Sequence, residues 1–270
     1  MSKSNALTHW VARTTKAVLP RSLHPLVSRA YMRTKARAQT TRDWLSLSLY
    51  RLTGRTYHKW YADRLDGFAT VMDLDDKTVQ WIRTTGYVDL DALKSVGMKP
   101  HHTLHEFGVG FMRSAHWFID YLDAGNFSGN DASMERIRVG TEVVGRSKIE
   151  AKRPLLLATK DNSFDWLPGR KVDYFWSHAV FAHMPAADIE ETIKNLRKIM
   201  HAQTKCLVVY DEPDRDLPGW RETVKDWTFP FEWYREVAVR HGYDIILLDF
   251  VPPAGWDRRE RMFQLTLAGK

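Results

Sequence analysis

Cysteine is nearly missing from this sequence: Cys206 is the single one in 270 residues, so no disulfide can form within the chain. No Cys/His pattern with zinc spacing occurs either, and 44% apolar residues suffice for a core without metals or crosslinks. A reducing compartment is expected. No apolar run approaches the roughly 18 to 20 residues that span a bilayer, and the N-terminus lacks the continuous apolar core of a signal peptide. The expected location is therefore cytoplasmic, in solution or on a membrane surface.

Acids are scarce at one end only. The first 60 residues hold 12 Lys and Arg against the single acid Asp43, whereas the other 210 hold 28 basic and 32 acidic residues. The basicity thus belongs to an arm. Nucleic acid is not an expected partner, because a nucleic-acid reader usually carries its basic face on the folded domain itself. An Arg-rich, acid-poor N-terminus containing Ser and Thr permits three other readings: docking of residues 1–56 on an anionic membrane surface, a mitochondrial targeting segment, or a basic surface for a protein partner.

Leu7, Trp10, Val11 and Val18 lie near helical spacing, Pro20 and Pro25 interrupt, and a second helical run from Ser28 to Leu52 ends near Gly54. Residues 1–56 therefore form a basic helical arm, and residues 57–99, with charged and apolar residues interleaved, a helical cap. From 100 to 270 the pattern alternates. Strands are expected at Thr103–Phe107, Phe127–Asp131, Pro154–Thr159, Val172–Ser177 and Cys206–Tyr210, with helices at Ser114–Leu122, Met134–Val144 and Ala187–Met200 between them. Such spacing builds βαβ units and a parallel sheet, an α/β fold. The helix at 187–200 carries one apolar stripe of Ile189, Ile193, Leu196, Ile199 and Met200, with acids at its start and cations at its end to match the helix dipole. After a helical stretch from Trp220 to His241, broken by Pro230, strands at 243–250 and 261–268 are joined by only about ten residues, too few for a crossover helix, so they should pair antiparallel.

The stretch HTLHEFGVGFMRSAHWF, residues 102 to 118, runs from the first strand through Gly108 and Gly110 into a helix. Glycines at the carboxyl end of such a strand let the backbone approach a ligand closely. Glu106 beside that turn suits a cationic amine and not a pyrophosphate. Asp131 closes the second strand 21 positions after Gly110, where an acid can accept both ribose hydroxyls of an adenosine. Such an acid serves NAD and S-adenosylmethionine equally, and it can also cap the helix at Met134.

The segment LHEFGVGFMRSAHWFIDYLDAGNFSGNDAS resembles the first two motifs of class I S-adenosylmethionine-dependent methyltransferases, in the branch whose loop reads Gly-x-Gly-x-x-Arg. VDYFWSHAVFAHMPAADIEETIKNLRKIM resembles that branch's fourth strand and next helix, and the terminal hairpin resembles the last two strands of the fold. The resemblance spans residues 100–270. It implies a Rossmann-like sheet of seven strands with the last one antiparallel, and S-adenosylmethionine as the cofactor. Glu106, Gly108, Gly110 and Arg113 are then implied to hold the methionine part and Asp131 the ribose. Adenine is expected against TKDNSFDWLPG, with Asp161 or Asn162 bonding its amino group and Phe164 or Trp166 stacking on the ring. Two residues depart from the pattern: Val109 stands for a frequent Cys, and Met112 for a third glycine. Met112 either packs beneath the cofactor or narrows the site.

Methyl transfer from a sulfonium is an in-line displacement that needs acceptor and methyl held close, and a hydroxyl acceptor usually wants a base. His178 and His183, in the segment SHAVFAHMP after the fourth strand, are the candidates, since histidine titrates near neutrality. His183 is preferred because it lies in the loop beyond the strand. Asp211, Glu212, Asp214 and Asp216 can hold a divalent cation, but solvated loop acids are the plainer reading and no metal is assigned. Trp220, Trp227, Phe229, Phe231, Trp233, Tyr234 and Trp256 suit a sugar or planar metabolite, or equally the core. The expectation is O-methylation of a small molecule or glycan hydroxyl. An NAD-dependent oxidoreductase and a non-catalytic adaptor docking through its basic arm are the alternatives.

Overall fold

The computed structural model describes residues 41–71, 76–167, 169–213, 227–250 and 260–269. The chain divides into two compact units, residues 1–54 and 55–270. In the first, residues 41–52 are helical. The helices expected before residue 41, the acids Asp214 and Asp216, and Trp220 and Trp256 lie outside the described residues.

In the second unit, helices α1 (Tyr57–Val71), α2 (Asp76–Thr85) and α3 (Tyr87–Ser95) precede strand β1 (Leu104–Phe107). Then come α4 (Ala115–Tyr121), β2 (Phe127–Asp131), α5 (Met134–Val144), α6 (Arg146–Lys152), β3 (Leu155–Ala158) and β4 (Val172–His178). They are followed by α7 (Ala186–Asn195), β5 (Met200–Asp211), α8 (Phe231–Arg240), β6 (Tyr243–Leu248) and β7 (Glu260–Leu267). The seven strands lie in the order β3-β2-β1-β4-β5-β7-β6. The first five are parallel, and β7 runs antiparallel to both of its neighbours. The short link between β6 and β7 leaves no room for a crossover helix, as the sequence spacing requires.

Both faces of the central strands are buried, and alternate side chains serve different cores. Cys206, Val208 and Tyr210 of β5 join Phe175, Phe263, Ile189 and Ile193 of α7, and Leu196 just beyond it, on one face. Leu207 and Val209 join Trp176, Leu104, Phe118 and Ile137 on the other. Strict alternation would put Val172 with Tyr174, but a register irregularity between them turns Val172 to the α7 side with Ile199 and Met200.

That irregularity accounts for two departures from expectation. Strand β5 begins at Met200 instead of Cys206, because Val172 pairs with Met200 before the register shifts. The helix expected to reach Met200 ends at Asn195, and one 3-10 turn, Leu196–Lys198, carries the chain to the sheet. The apolar residues at 199 and 200 are thus core residues of the turn and strand. Helix α6 was not expected, and none of its seven residues is buried.

Gly86 fixes the cap to the sheet. A Cβ there would fall 1.9 Å from the Arg113 carbonyl oxygen and 2.9 Å from the Ser114 Cα, both backbone atoms that a side-chain rotation cannot clear. Gly67, inside α1, has nothing within 4 Å of its Cβ position. Gly86→Ala should therefore destabilise by about 2–3 kcal/mol and lower Tm by roughly 5–10 °C. Gly67→Ala should instead raise stability by about 0.5–1 kcal/mol. Thermal melts of the two variants check both signs.

Candidate active site

The strand order reverses between β1 and β4, which opens a crevice at their carboxyl ends. A cavity of about 660 Å³ lies there, walled by the β1–α4 loop, the ends of β2 and β4, the turn after β4, and residues of the cap. The loop reaches it through three left-handed residues, Gly108 (φ 86°), Gly110 (φ 54°) and Met112 (φ 62°). The N–H groups of Gly108 and Val109 donate to the Asn130 carbonyl at 2.8 and 2.9 Å, tying the turn to β2. A Cβ on Gly108 would strike Val180 Cγ2 at 2.3 Å, so only glycine lets the two loops meet.

The two departures from the family pattern find their places. Val109 is buried against Gly129, whose absent Cβ would sit 2.3 Å from a valine methyl. Met112 is fully buried and packs on Gly140 of α5, where a Cβ would lie 2.8 Å from its Cγ. Its side chain enters the core beneath the loop and is not part of the cavity wall. Met112 does not narrow the site.

Glu106, Gly108, Gly110, Arg113, Asp131, Asn162, His178 and His183 all line the cavity. Glu106 is the penultimate residue of β1 and is 4% exposed, and its Oε2 has no hydrogen-bond partner. Burial, and then the negative charge of Asp89, push its carboxyl well above the ordinary range. Asp131 is knitted into both neighbouring elements: Oδ2 accepts the Gly110 N–H at 2.8 Å and Oδ1 the Ser133 N–H at 2.9 Å. The cap of α5 is Ser133, whose hydroxyl oxygen accepts the Arg136 N–H at 3.1 Å. Asp131 is thereby held still and left facing the cavity.

The adenine expectations need correction. Asp161 is exposed and its Oδ1 accepts the Ser163 N–H at 3.0 Å, closing a local turn away from the cavity. That same turn points Asn162 inward, where it is 3% exposed with an unpartnered Oδ1. Phe164 is packed against Phe107, His105 and Phe175 in the core, and Trp166 against Phe164 and His105. Neither ring lines the cavity.

A buried charge network missing from the sequence reading organises the other wall. Asp89 of α3 has no exposed surface. It accepts Arg113 Nη2 at 2.8 Å, His178 Nδ1 at 2.9 Å and the Ser114 hydroxyl. Burial alone would raise its carboxyl, but the charges of His178 and Arg113 and the hydrogen bonds from His178 and Ser114 hold it below the usual range. On the other side of the ring, His178 Nε2 lies 3.4 Å from Oε1 of Glu260, the first residue of β7. Burial would lower the His178 pKa; Asp89 first, and then Glu260, raise it to about 9. Because Nδ1 carries its proton toward Asp89, the 3.2 Å approach of Arg113 Nη2 is a contact of two donors sharing one acid.

His178, a candidate proton acceptor, is held between Asp89 and Glu260, which favour its charged form. It holds charge and orientation. His183 ends the 3-10 turn Phe181–His183 beyond β4. Its ring stacks on Tyr61 of α1 with centroids 5.9 Å apart, and its carbonyl accepts the Tyr57 hydroxyl at 3.0 Å. Tyr57, Tyr61, Leu65, Met184 and Asp188 complete this end of the cavity. One signal for Asp89 was present: it stands beside Leu90 and Leu93 on the apolar side of its helix, where an acid needs a buried partner. Nothing local marked Glu260.

No protein-family model matches the sequence, and no curated protein matches it. Solved structures do match the fold. The DhpI complex with S-adenosylhomocysteine superimposes with a TM-score of 0.51 at 15% identity, covering 79% of this chain and 95% of that one. Magnesium protoporphyrin IX methyltransferase ChlM from Synechocystis PCC 6803, with bound S-adenosylhomocysteine, gives 0.56 at 12% identity over 79% and 100% of the two chains. The glycopeptide N-methyltransferase MtfA with S-adenosylmethionine gives 0.56 at 11% identity over 68% and 94%. The chain has the seven-stranded fold of the S-adenosylmethionine-dependent methyltransferases that its sequence resembles.

The charge on His178 carries a sign that pH can test. A pKa raised from 6.5 to about 9 contributes stability that is fully present below pH 6.5 and is lost as the pH rises through about 9. The gap in unfolding free energy between the wild type and His178→Gln should narrow by about 3 kcal/mol between pH 6 and pH 10. Denaturant titrations across that range check it, and a constant gap would contradict the paired imidazolium.

Proposed function

We propose that the protein is an S-adenosylmethionine-dependent methyltransferase that methylates a hydroxyl oxygen of a small molecule or glycan. The observation that carries this reading is the Glu106 carboxylate, buried at the strand switch point with an oxygen that nothing in the protein satisfies. Such an oxygen calls for a cationic donor. The α-ammonium of the cofactor's methionine part is one, whereas a pyrophosphate would be repelled. The antiparallel β6–β7 pair also separates this sheet from the all-parallel dinucleotide-binding form. The three solved neighbours above hold S-adenosylmethionine or its demethylated product, which supports the same choice.

The residues present fit that cofactor. Glu106 receives the ammonium, the Gly108 and Gly110 backbone permits close approach, and Arg113 with His178 supplies positive charge for a carboxylate. Asp131 accepts ribose hydroxyls with the lone pairs its two backbone contacts leave, and Asn162 Oδ1 accepts from the adenine amino group. When bound, the cofactor supplies an electrophilic methyl group. His183 accepts the proton of the attacking hydroxyl, and Tyr61 keeps its ring in place by stacking. Tyr57, Tyr61, Leu65 and Met184 shield that end from water with aromatic and apolar surface suited to a ring-bearing acceptor.

Calorimetry with S-adenosylhomocysteine and, separately, NAD decides the class. The wild type should bind the former and not the latter, and Asp131→Ala should weaken binding by about 10- to 100-fold. Binding of NAD alone would overturn the reading in favour of an oxidoreductase. In turnover assays, His183→Ala should lower kcat by about 10²- to 10⁴-fold without changing S-adenosylhomocysteine affinity. An unchanged kcat would remove His183 from the chemistry.

A further inference from the structure

The helix at 41–52 presents a face that the cavity does not explain. Trp44, Leu45, Leu49 and Leu52 are 60%, 55%, 63% and 83% exposed, while Asp43 and Leu47 on its other side are buried. At about 100° per residue, these four apolar residues fall within one sector of about 140°. Arg51 lies about 20° beyond Trp44 at one margin and Arg42 about 20° beyond Leu49 at the other, so exposed cations border the stripe on both sides. Ser48, inside the sector, donates its hydroxyl to the Trp44 carbonyl at 2.9 Å and brings no unsatisfied donor to the face. The 40 residues that precede the helix contain eight Lys and Arg and no acid.

We propose that this helix lies in the surface of an anionic lipid bilayer, with Trp44, Leu45, Leu49 and Leu52 in the headgroup–acyl boundary and Arg42 and Arg51 on lipid phosphates. An apolar stripe bordered by long cationic side chains fits that boundary, because the stems cover apolar surface while the charges reach the headgroups. The one-signed charge of the arm complements an anionic surface. Nucleic acid would reward the cations and leave the three leucines in water. Among the described residues no helix is long and apolar enough to cross a membrane, so the helix lies on the surface and does not span it. The proposal is independent of the methyl-transfer reading, since the cavity belongs to the unit 55–270.

The test uses the full chain and sedimentation with phosphatidylcholine vesicles, with and without 30% phosphatidylserine. Pelleting with the anionic vesicles only, weakened at least tenfold by 0.5 M salt and by Leu45→Asp/Leu49→Asp, is the expected result. Thermal melting of the double variant checks that its fold is intact. A Leu49→Cys variant carrying an environment-sensitive dye reports insertion at the face itself. Cys206 stays unlabelled, because its thiol is buried and burial raises its pKa. The dye emission should shift to the blue on anionic vesicles. Absence of pelleting, equal pelleting with neutral vesicles, or a folded double variant that binds like the wild type would overturn the proposal. Vesicle-independent self-association that the double variant abolishes would also overturn it, assigning the face to a second copy of the chain.

Discussion

A carboxylate buried without exposure needs partners for its charge and for its lone pairs, and Asp89 finds three of them in two distant parts of the chain. Arg113 and Ser114 come from the end of the glycine loop and His178 from the end of β4. Joining them draws helix α3, the loop and the strand into one corner of the crevice. With Gly86 pressed on the Arg113 carbonyl, the cap has no freedom to sit elsewhere on that loop. The position of α3 at the cavity wall follows from this contact.

The same network sets the electrostatics of the site. Arg113 and His178 supply two positive charges, and Asp89, Glu260 and Glu106 offer three carboxylates. Asp89 has full pairing and Glu260 Oε1 lies near His178, while Oε2 of Glu106 and Oε2 of Glu260 are each buried without a hydrogen-bond partner. The Glu106 pKa is raised because burial and the negative charge of Asp89 outweigh the nearby positive charges of Arg113 and His178. The histidine that ends β4 is consumed by this arrangement, and the one five residues later lies outside the network.

Much of the architecture could be read from the residues. Alternating strand and helix patterns located all seven strands, and the short segment between β6 and β7 fixed their antiparallel pairing. Glu106, Gly108, Gly110 and Asp131 could be placed at the crevice because their positions depend on spacing within one βαβ unit, which is a local property. What escaped was long-range or hinged on one residue of turn geometry. Asp89 meets His178 across 89 positions and Glu260 meets it across 82, distances over which no pattern reports a contact. Of Asp161 and Asn162, left open by the sequence, only Asn162 faces the cavity, because an Asp161 carboxylate oxygen takes the Ser163 N–H in a local turn. Met112 adopts a left-handed backbone that bulky residues rarely accept, and only the space above Gly140 shows why it does.

A crystal structure with S-adenosylhomocysteine bound tests the central claim most directly. The account predicts the ligand's amino group within hydrogen-bonding distance of Glu106, its ribose on Asp131, the Asp89–Arg113–His178 contacts intact, and His183 facing the space beside the sulfur. A ligand bound elsewhere, or with its carboxylate and not its amino group toward Glu106, would contradict it.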